Sequence, residues 1–423
     1  MQWPSNRLEI ATTVLVALST FALLFSIALC QMLLAAALLT FLLSRQPVEF
    51  PAHLGWPLLA FIAWTLLSIL FSQDPLSGLL YLRKVFLFFI LVLVYNAYRH
   101  HRHLWLALKG IIIAGAVAAL YGIGQFIYAY LNLKRQGRPF YENYVLHQAS
   151  GFMSHWLTFS GQLMMVLLLT VSLLLFCRSI RFRLLWWLCA VAMSLGILAA
   201  FTRGIWLATL AGIVYLLARF QRRLLWLLPV AVLLLYLISP SWLEKRFQSI
   251  ADLQTDSSNL SRPVMLRTGW EMIRAHPWFG VGPGRVEVEF LLYKPSSLPL
   301  PKAWYGHLHN SYIQFAAERG IPCLMIWLWI LFEVFRVNLS LARKPYGEAQ
   351  ALGHAGIAIT LGIMVSGLFE FNVGDSEILM LYLFVIASSY AWVRLEQESW
   401  KVPEKKWAET NEFGLVNQPG LET

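Results

Sequence analysis

Charged side chains are scarce in this chain: Asp, Glu, Lys and Arg make up only 13% of its 423 residues, whereas a soluble domain has roughly 25%. Hydrophobic residues make up 58%, and several apolar runs exceed the ~18–20 residues with which a helix crosses a bilayer. This composition excludes an ordinary soluble enzyme. The sequence predicts an all-α, polytopic membrane protein with about twelve transmembrane helices and one large, partly helical extracytoplasmic loop.

Cysteines are also few. The four cysteines lie in or beside apolar runs and show no CxxC spacing: Cys30, Cys177, Cys189 and Cys323. This pattern argues against a disulfide framework and against a thiolate zinc site. It is typical of small, buried, apolar side chains.

Carboxylates are nearly absent before residue 240, where only Glu9, Glu49, Asp74 and Glu142 occur. Chemistry that depends on paired carboxylates can therefore lie only late in the chain. The sequence has no Asp-x-Asp motif that would hold magnesium and no GxxxxGK[ST] loop. The lack of that loop argues against nucleotide hydrolysis.

Apolar runs and loop charges divide the chain into four predicted segments. Residues 1–239 form nine spans, 240–311 the long extracytoplasmic loop, 312–394 three spans, and 395–423 a cytoplasmic tail. Alternate short loops collect Lys and Arg, and such loops face the cytoplasm. Both termini are therefore predicted to be cytoplasmic, with the long loop on the opposite side. The net charge of +11 then reflects orientation more than an affinity for nucleic acid.

Within the long loop, residues 261–276 are amphipathic, with Ser261 as the expected N-cap of a helix. Pro277 and the glycine run 280–284 are expected to end that helix. The glycine run itself is interpreted as a turn. A nest of backbone amides that cradles a phosphate is the alternative.

The strongest local constellation is His307, His309 and Asn310, where the loop re-enters the membrane. A neutral imidazole is a natural general base near pH 7, although a lone loop histidine is more commonly just solvated or hydrogen bonded. The His-x-His spacing also occurs in metal sites, but the sequence shows no nearby acidic or thiol ligand to complete a set. We therefore predict no metal and no cofactor here.

Three arginines are candidates to meet an anion: Arg203 at the outer end of a span, and Arg262 and Arg267 on the loop helix. Arginine at membrane depth is costly and by default functional, with snorkelling to lipid headgroups as the alternative. Guanidinium groups bind phosphate oxygens bidentately, so several together can neutralise a pyrophosphate without a metal. Arg267 could instead simply pair with Glu271, four residues on.

These residues carry a resemblance to a known family. Residues 261–284 resemble the periplasmic-loop pattern of the O-antigen ligase and polymerase superfamily. His309-Asn310, nine residues and then 320–323 are similar to the ligase signature, except that Cys323 stands where the signature has Gly, Thr or Tyr. Thr202-Arg203-Gly204 resembles the family's arginine at the end of a span. Because of Cys323, both the ligase and the polymerase branch stay open.

The resemblance implies a membrane glycosyltransferase of the GT-C type in the bacterial inner membrane, metal-independent and inverting at the anomeric carbon. Such an enzyme takes a glycan from undecaprenyl pyrophosphate on the periplasmic face. A ligase passes it to a sugar hydroxyl of lipid A-core, whereas a polymerase passes it to the next lipid-linked repeat unit. The implied partners are this donor, one of these acceptors and membrane lipids, with no nucleic acid.

In that reaction His309 would be the general base, and Arg203, Arg262 and Arg267 would hold the pyrophosphate as its charge develops. Asn310 and His307 are predicted to contact substrate. A transporter of a lipid-linked glycan is the competing class. Transporters commonly place charged residues near the midplane of discontinuous spans, whereas the candidate residues here lie at one face.

Overall fold

The computed structural model describes residues 7–178, 180–251, 257–301 and 306–413, and all regular secondary structure in these ranges is helical. The α-helices up to the long loop are α1 (Arg7–Ala22), α2 (Ile27–Leu43), α3 (Ala52–Leu70), α4 (Pro75–Leu79), α5 (Phe89–Ala97), α6 (His101–Arg135), α7 (Phe140–Tyr144), α8 (Trp156–Phe176), α9 (Arg183–Ala199), α10 (Arg203–Phe220) and α11 (Leu227–Leu237). Those that follow are α12 (Ser241–Ala251), α13 (Ser257–Ala275), α14 (Val286–Tyr293), α15 (Ser311–Ala342), α16 (Glu348–Ser366) and α17 (Ser376–Phe413). Three 3-10 segments join them: Leu80–Phe88, Arg222–Trp226 and Asn372–Gly374.

Eight helical stretches in the described part of the chain are long and apolar enough to cross a membrane. They are His53–Leu70, Pro75–Ala97, His101–Arg135, Trp156–Phe176, Arg203–Phe220, Ser311–Ala342, Glu348–Ser366 and Ser376–Ser399. The prediction of an all-α, multi-pass membrane protein is confirmed. The predicted count of about twelve is not, because α2 and α9 are apolar but shorter, and α1 and α11 have only 16 and 11 residues.

The two most enclosed spans are α8 and α17, and α8 packs against α6, α9, α10, α16 and α17. Its side chains are buried on every face, as expected for an apolar helix at the centre of a bundle. Small residues let neighbouring helices approach closely. At Gly212 of α10, for example, a Cβ would come within 2.6 Å of the Leu168 side chain of α8.

The stretch between α11 and α15 folds into helices α12, α13 and α14. Helix α13 begins at Ser257, one turn earlier than predicted, so Ser261 lies inside the helix and the expectation of an N-cap there is wrong. The helix continues through Pro263, which lies within its first two turns. It ends at Ala275, before Pro277, as predicted. Met265 and Met272 of α13 are buried in a small apolar core shared with α14 and α15.

The glycine run after α13 forms a turn whose amides bind to α15. Val281 donates its backbone N–H to the Ala317 carbonyl at 2.9 Å, and Gly282 donates to the Glu318 carbonyl at 2.9 Å. The N–H of Gly284 donates to the Glu318 carboxylate at 3.0 Å. Because protein acceptors occupy these donors, the structure favours the turn over the phosphate nest.

Helix α15 is broken at Gly320, the glycine of the ligase-like signature. This residue has φ 82° and ψ 165°, which separates the first three turns from the membrane-spanning part. A Cβ at this position would lie 1.8 Å from the Trp278 carbonyl oxygen. Glycine is therefore required, both for the backbone conformation and for the close approach of the turn.

Candidate active site

The candidate site lies where the long loop enters α15, packed against the link between α16 and α17. Asn310 is the N-cap of α15, with its Oδ1 accepting from the N–H groups of Tyr312 and Ile313, both at 3.0 Å. Its Nδ2 donates to the Leu368 carbonyl at 3.1 Å, and the Ser311 N–H donates to Gly367 at 2.7 Å. These bonds hold the histidine segment against the link. Asn310 therefore stabilises the start of α15, and its contact with substrate stays a prediction.

His309 is directed at a buried carboxylate that the sequence analysis did not single out. Its Nδ1 lies 2.6 Å from Oε2 of Glu370. Burial by itself would raise the pKa of Glu370, but the hydrogen bond and charge of His309, with smaller effects of His307 and Arg262, lower that pKa below its usual value. Glu370 is therefore ionised at neutral pH. An ionised carboxylate accepts a hydrogen bond from the Nδ1–H group, which leaves Nε2 of His309 as the basic nitrogen.

His307 lies beside His309, with their ring centroids 4.2 Å apart. The Nδ1 of His307 accepts the backbone N–H of His309 at 3.2 Å, and this contact accompanies a left-handed backbone at His309, with φ 47°. Burial, followed by the neighbouring His309, lowers the pKa of His307 to about 4. At neutral pH His307 is therefore uncharged.

Arg262 reaches the same carboxylate from α13. Its Nη2 is 3.4 Å from Oε1 of Glu370, and its guanidinium carbon is 5.8 Å from the centre of the Phe369 ring. His309 and Arg262, 47 residues apart in the sequence, therefore converge on the two oxygens of one side chain. The cluster therefore places the imidazole of His309 and the positive charge of Arg262 next to the same carboxylate.

Arg203, at the start of α10, is buried. It donates to the backbone oxygen of Ser249 and, at 3.1 Å, to the Ser249 hydroxyl. The next residue, Gly204, lies against Phe369: a Cβ there would be 3.2 Å from the Phe369 Cβ. The start of α10 thus borders the link that holds Glu370.

Arg267 is not brought to this cluster by any contact within the described residues. Its side chain is 57% exposed and pairs with Glu271 at 3.2 Å. Arg274 pairs with the same carboxylate at 3.5 Å. Because five residues turn a helix through more than a right angle, Arg267 and Arg262 face different directions.

Residues 188–328 match the family model described as O-antigen ligase. This stretch, called the O-antigen ligase domain below, is therefore similar to that family. The match confirms the resemblance found in the loop motifs, and it contains all six candidate residues: Arg203, Arg262, Arg267, His307, His309 and Asn310. No curated protein matches the chain in a sequence comparison.

Glu370 lies outside the matched O-antigen ligase domain, in the link after α16. The sequence marks Glu370 only weakly, as an acidic residue between Phe369 and Phe371 in a chain that has few acidic residues. The same link holds Asp375, whose Oδ2 accepts a hydrogen bond from Thr158 at 2.7 Å and whose pKa burial raises. The carboxylate that His309 and Arg262 contact therefore comes from a part of the chain beyond the matched residues.

The O-antigen ligase domain and this link also place together three groups able to bind a metal. Ligand atoms of His307, His309 and Glu370 all lie within 4.8 Å of one another. The premise that no acid completes the His-x-His pair is therefore wrong, because the fold supplies Glu370 from 61 residues further on. Two imidazoles and a carboxylate with an open position suit zinc. Glu370 is, however, already engaged by His309 and Arg262.

Proposed function

We propose that this protein is a membrane glycosyltransferase of the GT-C type that moves a glycan from undecaprenyl pyrophosphate to a sugar hydroxyl of lipid A-core, in the manner of an O-antigen ligase. The observation that carries the proposal is the convergence of His309 and Arg262 on the buried carboxylate of Glu370. The O-antigen ligase domain at residues 188–328 supports the class of reaction.

His309 is the general base in this proposal. Its Nε2 takes the proton of the attacking sugar hydroxyl, while Nδ1 donates to Glu370. Glu370 fixes the tautomer and stabilises the imidazolium that forms, as the carboxylate does in a Ser-His-Asp triad. The carboxylate thus acts through the histidine as a positioning residue. Arg262 keeps Glu370 in place from the other side.

The acceptor oxygen forms a bond to the anomeric carbon as the bond from that carbon to the pyrophosphate oxygen breaks. The electron pair of the broken bond leaves with the pyrophosphate, and the acceptor proton goes to His309. Arg203 and Arg262 are proposed to neutralise the leaving group as its charge grows, with Arg267 as an outer contributor. Substitution from the opposite face inverts the anomeric centre. Since arginines hold the leaving group, the proposed step needs no metal and no cofactor.

The proposed location is the bacterial inner membrane, with both termini in the cytoplasm and the site at the periplasmic face. At the end of the bundle away from the histidines, the last part of α17 contacts the segments that follow α5 and α15. Arg394 donates to the Tyr98 carbonyl at 2.7 Å, and Lys344 pairs with Glu396 at 3.2 Å. The connections at this end carry many of the short-loop cations, among them Arg99, Arg102, Arg178, Arg181, Arg219, Arg222 and Arg343. Such loops face the cytoplasm, which leaves His309 on the opposite side.

A polymerase that joins lipid-linked repeat units is the second candidate, because Cys323 departs from the ligase signature. It would use the same base and the same arginines. Purified protein given lipid-linked glycan alone would lengthen it if it is a polymerase. A ligase would form product only when lipid A-core is added. Transport is less favoured, because the candidate residues share one end of the bundle.

The test of the proposal is transfer by purified His309→Ala protein with lipid-linked glycan and acceptor. We expect no transfer, with donor binding retained, because the base contributes to the chemical step. His147→Ala is the matched control, since His147 is exposed and lies in the loop before α8. Transfer at the wild-type rate by His309→Ala would refute the assignment of the base.

A further inference from the structure

A cavity lies beside the histidine site, between α3, the segment Leu80–Phe88, α15 and residues 371–374. The empty space within it is about 710 Å³, a figure that includes space open to the surroundings. Phe371 lines the cavity, and its ring centroid is 6.4 Å from that of His307. Phe371 is therefore the wall between the cavity and the proposed active site. None of the roles assigned above uses the cavity.

Arg319 is the most unusual residue of the lining. It is 9% exposed, and within the described part of the chain its Nε and Nη1 have no hydrogen-bond partner. Nη1 is 2.8 Å from Oε2 of Glu318, an ion pair that leaves the donors without an aligned acceptor. Buried donors without partners are costly. Anionic oxygens in the cavity would supply the missing acceptors.

Lys84 places a second cation in the same lining. Its Nζ donates to the Gly374 carbonyl at 2.6 Å, which uses one of the three donors of an ammonium group. Glu318, the acid of the lining, is already bonded to the Gly284 N–H and the Gln314 amide, both at 3.0 Å. Two cations and one engaged carboxylate give the lining a net positive charge, which favours an anion.

The rest of the lining is largely aromatic: Phe61, Phe88, Phe315, Trp327 and Phe371. These rings contact one another, with centroids 5.8 Å apart for Phe61 and Phe315 and 5.2 Å apart for Phe315 and Trp327. They offer a continuous apolar surface to a hydrocarbon chain. A ligand that matches both parts has a phosphate group and an attached lipid chain.

We propose that this cavity binds the phosphate and adjoining chain of a second phosphorylated lipid, the acceptor substrate. Lys84 and Arg319 would hold the phosphate, and the aromatic rings would hold the chain. The assignment to the acceptor rests on the proposed transferase function, whereas the binding of a phosphorylated amphiphile does not. A transferase with two lipid-borne substrates needs two such sites, and the Phe371 wall places this one beside His309.

Native mass spectrometry of the full-length protein in detergent tests the proposal, with farnesyl pyrophosphate as the probe. We expect two bound copies in the wild type and one in the double variant Lys84→Met, Arg319→Met. We also expect one bound copy in the Arg262→Ala variant, because this substitution leaves the cavity intact and weakens binding at the proposed donor site. Arg274→Met is the matched control, because Arg274 is exposed on α13, and it should bind two.

Two results would overturn the proposal: two copies on the double variant, or equal filling of the cavity site by farnesol, which lacks the phosphate. Arg319→Lys keeps the charge and tests the site where the double variant does not fold. We expect it to bind the second copy at least tenfold more weakly than the wild type, and unchanged affinity would also refute the proposal. If the proposed donor site is wrong, the Arg262→Ala variant will still bind two copies of farnesyl pyrophosphate, so this failure can be distinguished from failure of the cavity site.

Competition then identifies the acceptor. Displacement of the second copy of farnesyl pyrophosphate by monophosphoryl lipid A indicates a lipid A-core acceptor. Displacement by undecaprenyl phosphate indicates a lipid-linked acceptor. Displacement by neither lipid would refute an acceptor role for the cavity.

Discussion

Glu370 and His309 are separated by 61 residues in the chain, yet Oε2 of the first and Nδ1 of the second are 2.6 Å apart. The carboxylate is buried and comes from the link between α16 and α17, whereas the imidazole lies just before the start of α15. The pair joins the two parts of the chain that carry the site. It also determines which imidazole nitrogen can act as a base.

Replacement of Glu370 by Gln tests that relationship. The amide keeps the size of the side chain but removes its charge, so the imidazolium loses its stabilising partner. We expect kcat to fall on the order of 10²-fold or more, with little change in the KM for the lipid-linked donor. Initial rates at saturating donor give the measurement. Glu142→Gln, at an exposed ion pair with Lys245, is the control, and an unchanged kcat for Glu370→Gln would contradict the role.

The helical class can be predicted from the sequence because apolar runs are local signals, and a short motif is enough to single out the histidine segment, whose role stays a prediction. The sequence did not predict Glu370, whose importance depends on a contact with a residue far away in the chain. The start of α13 was misplaced for a related reason: Ser261 is a good capping residue, but the helix starts one turn earlier and accommodates Pro263. The pairing of Arg267 with Glu271 could be foreseen from their spacing.

The stability of the protein should depend on pH through His307. Its pKa is lowered to about 4 in the folded state but is about 6.5 in an unfolded chain. Between these values the unfolded state binds more protons, so stability falls as the pH drops from 7 to 5, by about 2 kcal/mol at pH 5. Melting temperatures in detergent at the two pH values should show this loss. His307→Asn should reduce it and the exposed His147→Asn should not; equal slopes in the wild type and His307→Asn would contradict the prediction.

Metal ions provide a further test of the cluster formed by His307, His309 and Glu370. We expect transfer to continue in EDTA, because arginines and not a metal are proposed to hold the leaving group. Excess Zn²⁺ should inhibit, because three ligand atoms within 4.8 Å of one another can bind it and would block the base. His307→Ala should be less sensitive to Zn²⁺ in a rate assay. Loss of activity in EDTA with rescue by one divalent ion would instead show a metal-dependent reaction.

Gly320→Ala should strongly destabilise the protein. Its φ of 82° is unfavourable for alanine, and the added Cβ would lie 1.8 Å from the Trp278 carbonyl oxygen. We expect a loss of about 3 kcal/mol or more, or failure to fold. Gly110→Ala is the control, because that helical glycine has open space around its Cβ position and alanine favours a helix. Equal melting temperatures for the two variants, measured in detergent, would show that the break in α15 is not required.

Arg262 and Arg267 lie on one helix but should contribute differently to catalysis. Arg262 is held 3.4 Å from Glu370, with a side chain 24% exposed, whereas Arg267 is 57% exposed and paired with Glu271. Water screens an exposed charge, so an exposed guanidinium stabilises a leaving group less than an enclosed one does. We therefore expect Arg262→Ala to lower kcat/KM for the donor at least tenfold more than Arg267→Ala does. Both variants keep α13 helical, because alanine suits a helix interior. Equal losses, in assays that vary the lipid-linked donor, would mean that the bound donor draws Arg267 away from Glu271 and into the site.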